Sequence, residues 1–323
     1  MICLGIEATA HTFGVGICDE KGKVLANERS VYKPKKGWGI IPMDAGKHHE
    51  KARGEVLKAA LKKAKLEMKD IGIIAYSRGP GLPPCLYKGL ELATELAEKH
   101  GIPIVDINHC VAHIEIGKLT SGFKDPVVVY VSGGNTQIIS FSEGRYRVFG
   151  ETMDVGIGNA LDKFGREVGL DFPQAPKIEQ LAKKGKWVDL PYVVKGMDLS
   201  FSGILTSCIQ KHERGEPLEN LCFSIQEVFF SMLTEVTERA LAHLGKGEVL
   251  LTGGVAANLR LQEMLKTMCN ERGAKFDVVP REFAGDNGLM IGWNGVLAHK
   301  TGQKISKDVD SRWRTDDVEI TWI

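Results

Sequence analysis

Two histidines four residues apart are the strongest chemical feature of this sequence. His109 and His113 stand in the run NHCVAHIEIGK, which follows the apolar segment IPIVDI at 102–107. Residues at positions i and i+4 of a helix lie on one face, so two imidazoles at this spacing can hold one metal ion. Asn108 is a suitable N-cap for such a helix. The pattern predicts a metal site, with satisfied surface or core histidines as the alternative.

A metal held by two imidazoles needs oxygen ligands to complete its shell, and Asp286 is the best distant carboxylate. It stands in FAGDNGLMIG, just before an apolar helix, so Asp286 or Asn287 could instead be an N-cap. Both interpretations stay open. Cys110 follows the first histidine, where HExxH metalloproteases carry their general-base glutamate, and this disfavours a protease.

The bulk composition is that of an ordinary globular protein. The chain has 323 residues, enough for two domains, with 43% hydrophobic and 26% charged residues. No apolar run reaches the roughly 18 residues that span a bilayer, and the N-terminus lacks a basic region. Seven cysteines form no CxxC pair, which is typical of a reducing compartment. We therefore expect a cytoplasmic protein that does not enter a membrane.

The net charge of +1 excludes the global basic field of autonomous nucleic-acid binders. An RNA substrate would need a local patch or the help of a partner. The runs KPKKGW (33–38) and KHHEKAR (47–53) could supply such a patch, although charge runs are more often solvated faces.

Two segments share one strand pattern. Residues 1–28 and 127–151 each read as strand, small-residue turn, strand, glycine turn, strand. A helix and an apolar strand follow each trio, at 46–67 and 71–77 in the first half and at 218–245 and 247–254 in the second. This duplication predicts an α/β protein with mixed sheets covered by helices.

A duplicated sheet domain of this kind resembles the actin, Hsp70 and sugar-kinase (ASKHA) superfamily. That resemblance implies a two-domain fold with a nucleotide cleft between the domains. We expect domains at 1–121 and 122–323, joined at SGFKDP (121–126), with a C-terminal helix from about 287 that can pack back on the first domain.

Two loops could hold an anionic ligand. In VSGGNTQ (131–137), the amides of Gly133 and Gly134 can converge on a phosphate, although an ordinary hairpin turn fits equally well. In LLTGGVAANLRL (250–261), a strand ends in two glycines before a helix, which is where α/β proteins bind nucleotides. Asn258 could reach a ribose or base there, or the loop could be a plain strand-to-helix turn.

Ordered motifs along nearly the whole chain resemble one family. They include GIEATAHTFG, RGPGL, NHCVAHIEIGKL, YVSGGNTQ, VFGETMDVGIGNALDKF, DLPYVVKGMDLSFSG, TGGVAAN, GDNGLMI and WRTDDVEITW. The family is the tRNA N6-threonylcarbamoyladenosine transferases, called TsaD in bacteria and Kae or OSGEP in archaea and eukaryotes. YVSGGNTQ together with GMDLSFSG favours the archaeal or eukaryotic branch.

The resemblance implies a set of site residues. The metal ligands would be His109, His113, Tyr130 and Asp286, a donor set that suits iron or zinc. The nucleotide, threonylcarbamoyl-AMP or ATP, would be bound by Tyr130, Val131, Ser132, Gly133, Gly134, Asn135, Asp162, Ala175, Glu179 and Asn258. Glu7 and His11 would line the reacting groups as catalytic residues.

The implied reaction transfers a threonylcarbamoyl group from threonylcarbamoyl-AMP to adenosine 37 of tRNAs that read codons beginning with adenine. The implied partners are tRNA and the KEOPS subunits: an RIO-like kinase, fused to the C-terminus in some archaea, and a small dimer-forming subunit.

Several positions depart from the family pattern, namely Ala8, Pro83, Pro84, Tyr87, Ala175 and Leu259. The alternative is therefore a weakened or non-catalytic nucleotide- and metal-binding scaffold of KEOPS. A kinase or ATPase of the same superfamily would need a base and a sugar pocket, to which the sequence does not point.

Overall fold

The computed structural model describes residues 1–35, 38–302 and 306–323, which form two compact units. The first unit comprises Met1–Leu119, Ser142–Tyr146 and Gly285–Ile323, and the second comprises Thr120–Phe141 and Arg147–Ala284. Within the basic run KPKKGW, Lys36 and Gly37 lie outside the described residues.

The first unit is built on a five-stranded mixed sheet. Its strands are β1 (Ile2–Glu7), β2 (Thr12–Asp19), β3 (Val24–Val31), β4 (Ile73–Gly79) and β5 (Ile104–Asn108). Their order is β3-β2-β1-β4-β5; β1 to β3 form an antiparallel meander, and β4 and β5 continue the sheet in parallel with β1. The helices that follow are α1 (Pro42–Ala64), α2 (Pro83–His100) and α3 (His109–Ser121).

Helix α1 begins four residues earlier than the sequence pattern predicts. The pattern indicates a start at Gly46, whereas the helix starts at Pro42. Proline fits the first turn of a helix because its missing N–H has no intrahelical partner there.

The second unit carries a second five-stranded sheet. Its strands are β6 (Val127–Val131), β7 (Thr136–Ser142), β8 (Arg145–Glu151), β11 (Glu248–Thr252) and β12 (Lys275–Val278), while β9 (Val194–Lys195) and β10 (Asp198–Leu199) form a separate small hairpin. The sheet order is β12-β11-β6-β7-β8, with β11 parallel to both β6 and β12. Read from its other edge, this order repeats that of the first sheet. The predicted duplicated α/β fold is confirmed.

Helices cover the second sheet, and a large apolar core lies between them and the sheet. They are α4 (Ile157–Glu167), α5 (Gln174–Ala182), α6 (Ser202–Glu213), α7 (Leu218–Leu244), α8 (Leu259–Glu271) and the single turn α9 (Arg281–Ala284). Helix α7 lies at the centre of this core. Its residues Phe229 and Phe230 are fully buried among residues of the sheet and the neighbouring helices.

Helix α10 (Gly288–Lys300) packs on β1 and β2 of the first unit through glycines. An ideal Cβ placed on Gly5 would lie 2.1 Å from the backbone nitrogen of Gly292, and one on Gly16 would lie 2.1 Å from that of Leu289. Any larger residue would separate the helix from the strands. The helix that follows Asp286 is thereby fixed directly against the first sheet.

Among the residues that the structure describes, no helix combines the length and apolar character needed to cross a membrane.

Candidate metal centre and nucleotide loops

The histidine pair lies at the start of α3, directly after β5. The predicted N-cap is confirmed, since Oδ1 of Asn108 accepts hydrogen bonds from the backbone N–H of Cys110 at 2.9 Å and of Val111 at 3.1 Å. The side chains of His109 and His113 are buried, and their ring centroids are 4.7 Å apart. One helical turn thus places both imidazoles side by side.

Asp286 joins the two imidazoles. Its Oδ1 lies 3.4 Å from Nε2 of His113 and 3.6 Å from Nε2 of His109, and the three ligand atoms lie within 4.8 Å of one another. Asn287, and not Asp286, is the N-cap of the helix that follows, because Oδ1 of Asn287 accepts a hydrogen bond from the N–H of Met290 at 3.1 Å. Capping and ligation therefore do not compete for Asp286.

The buried carboxylate of Glu7 contacts His109 on the ring nitrogen that faces away from Asp286. Oε2 of Glu7 is 3.0 Å from Nδ1 of His109, and Oε1 of Glu7 accepts from the N–H of Thr9 at 2.7 Å and from its hydroxyl at 2.5 Å. A carboxylate that accepts from Nδ1–H fixes the tautomer and leaves Nε2 as the ligand atom. The sequence gives no sign of this role for Thr9, since a threonine after a strand is an ordinary turn residue.

Charge distribution across the cluster favours an ionised Asp286. Burial opposes that charge, but the hydrogen bond from His113 and the nearby imidazoles of His109 and His11 hold the pKa of Asp286 well below its usual range. Burial also disfavours protonation of His109, but the carboxylate of Glu7 outweighs it and raises the pKa to about 9, whereas burial lowers that of His113.

The donor chemistry fits a divalent metal. Two imidazoles and one carboxylate, with a carboxylate behind one imidazole, form the ligand pattern of zinc and non-haem iron sites rather than of magnesium. The fourth predicted ligand, Tyr130, is a buried residue of β6 in the second unit. Its ligation stays a prediction.

The loop Ser132–Asn135 connects β6, which ends at the buried Val131, to β7. The N–H of Ser132 donates to the carbonyl of Asn135 at 2.8 Å, and the hydroxyl of Ser132 accepts from the N–H of Asn135 at 3.1 Å. Gly133 and Gly134 at its tip are exposed. The loop is thus a closed turn with two exposed glycines at its tip, which agrees with both interpretations of its sequence.

The other predicted nucleotide residues lie in the second unit, where Asp162 and Ala175 contact each other and Glu179 contacts the residue after Asn258. Oδ1 of Asp162 on α4 lies 3.4 Å from the N–H of Ala175 in α5, and Oε1 of Glu179 accepts from the N–H of Leu259 at 2.9 Å. Asn258 caps α8 with its Oδ1 and donates from Nδ2 to Gln226 at 2.7 Å. These contacts link α4, α5, α7 and α8; nucleotide binding by these residues stays a prediction.

The repeated sheet order defines the class of protein. The chain has the actin, Hsp70 and sugar-kinase type of fold, and similar solved structures include HypF of Thermococcus kodakarensis, with a TM-score of 0.65 and 15% identity over 95% of this chain and 48% of that chain. The activator of the 2-hydroxyisocaproyl-CoA dehydratase of Clostridium difficile has a TM-score of 0.56 and 11% identity over 95% of this chain and all of that chain. Likeness at these identities shows the fold alone.

Sequence similarity defines the family more narrowly. The profile of the tRNA N6-adenosine threonylcarbamoyltransferases matches residues 23–293. Relatives of that name are 50% identical in Methanopyrus kandleri, over all of this chain and 96% of the relative, and 54% identical in Thermococcus sibiricus, over all of both chains. The chain belongs to this family.

A relative in Methanocaldococcus jannaschii is longer. It is 52% identical over all of this chain, which covers 61% of its length, and it is named a probable bifunctional tRNA threonylcarbamoyladenosine biosynthesis protein.

Proposed function

We propose that this chain transfers the threonylcarbamoyl group of threonylcarbamoyl-AMP to the N6 amine of adenosine 37 in tRNAs that read codons beginning with adenine. Membership of the family over the full chain supports the reaction. The observation that carries the proposal at the level of residues is the convergence of His109, His113 and Asp286, with Glu7 behind the first histidine.

A single divalent metal, iron or zinc, would be held by His109, His113, Asp286 and Tyr130. When bound, it would supply a Lewis acid for an oxygen of the donor. Glu7 orients His109 and is thus a positioning residue in this proposal, whereas the family resemblance implied a catalytic residue.

The reaction is an acyl transfer. The N6 nitrogen attacks the carbamoyl carbon, a C–N bond forms, the bond from that carbon to the phosphate oxygen breaks, and AMP leaves. The amine loses a proton, for which His11, at the bend between β1 and β2, is the proposed acceptor. The amides of Gly133 and Gly134, in the loop Ser132–Asn135, would bind the phosphate and stabilise the charge on departing AMP. The residues proposed to bind the ribose and base are Asp162, Ala175, Glu179 and Asn258.

The proposed partners are tRNA and the KEOPS subunits, in the cytoplasm. The bifunctional relative supports a second component, since this chain matches only 61% of its length. We assign that component to an RIO-like kinase, with a small dimer-forming subunit as the other partner.

Reconstitution tests the proposal. The protein is mixed with the partner subunits, the threonylcarbamoyl-AMP synthase, threonine, bicarbonate, ATP and a tRNA that reads codons beginning with adenine. Nucleosides from the digested tRNA are then analysed by mass spectrometry. Modified adenosine above a no-enzyme control is expected; its absence from metal-loaded protein would favour a non-catalytic scaffold.

A matched pair of variants ties the product to the site. His109→Ala should abolish both metal binding and product, whereas His100→Ala, at the exposed end of α2, should change neither. Product from metal-free His109→Ala protein would remove the metal cluster from the mechanism.

A further inference from the structure

Asp154, in the turn between β8 and α4, has a carboxylate that accepts a dense set of hydrogen bonds. Its Oδ1 accepts from the N–H of Val155 at 2.7 Å and of Phe201 at 3.0 Å. Its Oδ2 accepts from the N–H of Ser202 at 3.0 Å and from the hydroxyls of Ser200 and Ser202. All of these partners except Val155 lie at the start of α6.

The carboxylate therefore caps α6 from a distant part of the chain. Phe201 occupies the N-cap position, and its apolar side chain cannot accept a hydrogen bond. Asp154 supplies the missing acceptor and its negative charge favours the helix N-terminus. Partial burial opposes that charge, but the hydrogen bonds from Phe201, Ser200 and Ser202 hold the pKa of Asp154 well below its usual range.

The same turn contacts the glycine loop on its other side. The N–H of Gly158 donates to the carbonyl of Ser132 at 3.2 Å, and that of Asn159 donates to the carbonyl of Gly133 at 2.9 Å. An ideal Cβ on Gly156 would lie 2.4 Å from the carbonyl oxygen of Gly133. The first turn of α4 is thus seated directly against the loop.

Asp154 lies between the contact with α6 and the contact with the glycine loop. Its carboxylate binds the start of α6, and Gly156, two residues later, lies against the loop. Thr152, two residues before Asp154, donates its backbone N–H to the carbonyl of Thr136 at 3.0 Å, just beyond the loop. Loss of the carboxylate would remove the hydrogen bonds that join Asp154 to the start of α6. The segment would stay attached there through Met153, whose N–H donates to the carbonyl of Leu199 at 2.7 Å, and the support on which the loop rests would be weaker.

We infer that Asp154 is a positioning residue for the loop Ser132–Asn135, which it holds in the conformation that binds the phosphate of the adenylate donor. This inference rests on the proposed function, because that proposal assigns the phosphate to this loop. Asp154 acts through the segment 155–159 and does not itself contact the nucleotide.

Three variants separate positioning from general stability. Asp154→Asn keeps the size of the side chain but removes the charge and half of its acceptor capacity. Ser202→Ala removes one donor to the same carboxylate and is the milder change. Glu238→Gln is the control, because it removes a carboxylate of the same unit that pairs with Arg272 between α7 and α8.

Each protein is studied well below its melting temperature. The measurements are amide hydrogen exchange over 132–136, equilibrium binding of AMP, and KM and kcat with threonylcarbamoyl-AMP. Asp154→Asn should speed exchange in the loop, weaken AMP binding and raise KM by roughly 10-fold, and change kcat less. Ser202→Ala should change the same quantities in the same direction by less, and Glu238→Gln should match the wild type.

Wild-type exchange and wild-type KM in a folded Asp154→Asn protein would overturn the inference. If this variant does not fold, Ser202→Ala decides: faster loop exchange supports the inference and unchanged exchange overturns it. A wild-type protein that neither binds AMP nor forms product would refute the proposed function, and loop exchange alone would then decide the role of Asp154.

Discussion

Nδ1 of His109 and Oε2 of Glu7 are 3.0 Å apart, and both side chains are buried. The carboxylate therefore sets which nitrogen of the imidazole is free to bind a metal. Glu7→Gln keeps the shape but removes the charge, and we expect metal affinity to fall by roughly 10- to 100-fold. A chelator competition titration measures this, with Glu28→Gln on β3 as control. Unchanged affinity would show that Glu7 does not act on His109.

The neighbours Asp286 and Asn287 should have separable roles. Asn287→Ala removes the N-cap of α10 and should lower the free energy of unfolding by about 1 kcal/mol while metal binding persists. Asp286→Ala should abolish stoichiometric metal binding. Denaturant unfolding of metal-free protein and metal analysis of purified protein measure the two effects. Loss of metal from Asn287→Ala alone would contradict this division.

Acidification should destabilise the first unit through His49. Burial, followed by the charges of His48 and His11, lowers the pKa of His49 from 6.5 to about 4. Because the folded state resists protonation and the unfolded state does not, stability is lost as the pH falls from 6.5 towards 4. The slope attributable to His49 is at most about 1.4 kcal/mol per pH unit.

Denaturant unfolding at several pH values measures that slope. His49→Gln should flatten it, and His100→Gln, at an exposed position, should leave it as in the wild type. Equal slopes for His49→Gln and wild type would mean that another group controls the acid response.

Two glycine substitutions should have opposite effects on stability. Gly5→Ala places a methyl group 2.1 Å from the backbone of Gly292, and we expect a loss of at least roughly 2 kcal/mol. Gly54→Ala lies in the exposed interior of α1, where the new Cβ meets no described atom within 4 Å. It should gain about 0.5–1 kcal/mol. Thermal unfolding compares them, and a tolerated Gly5→Ala would refute backbone contact as the reason for these glycines.

The periodic features of the chain were predictable from sequence. Strand trios separated by glycine turns repeat in both halves, so the duplicated sheets follow from pattern alone. The spacing of His109 and His113 depends only on helix geometry, and it predicts their shared face. Asn108 as N-cap follows from its place between an apolar strand and a helix.

Features that depend on distant contacts were not predictable in the same way. Glu7 is separated from His109 by 102 positions, and nothing in GIEATAHT indicates which side chain its carboxylate will meet. Asp154 resembles an ordinary turn residue until α6, 48 positions later, is placed beside it. Asp286 and Asn287 are equally good N-cap candidates in the sequence. Only the backbone of the folded chain shows that Asn287 is the cap.

The packing of α10 on β1 and β2 affects the order in which the two units can fold during synthesis on the ribosome. The first sheet is translated early, but the helix that covers it is encoded after residue 287. Residues 147–284 belong to the second unit and emerge in between. We therefore expect the second unit to reach its native state first on the growing chain. Until α10 is synthesised, the face of β1 and β2 that this helix covers stays exposed. Nascent-chain proteolysis at increasing lengths would reveal this order.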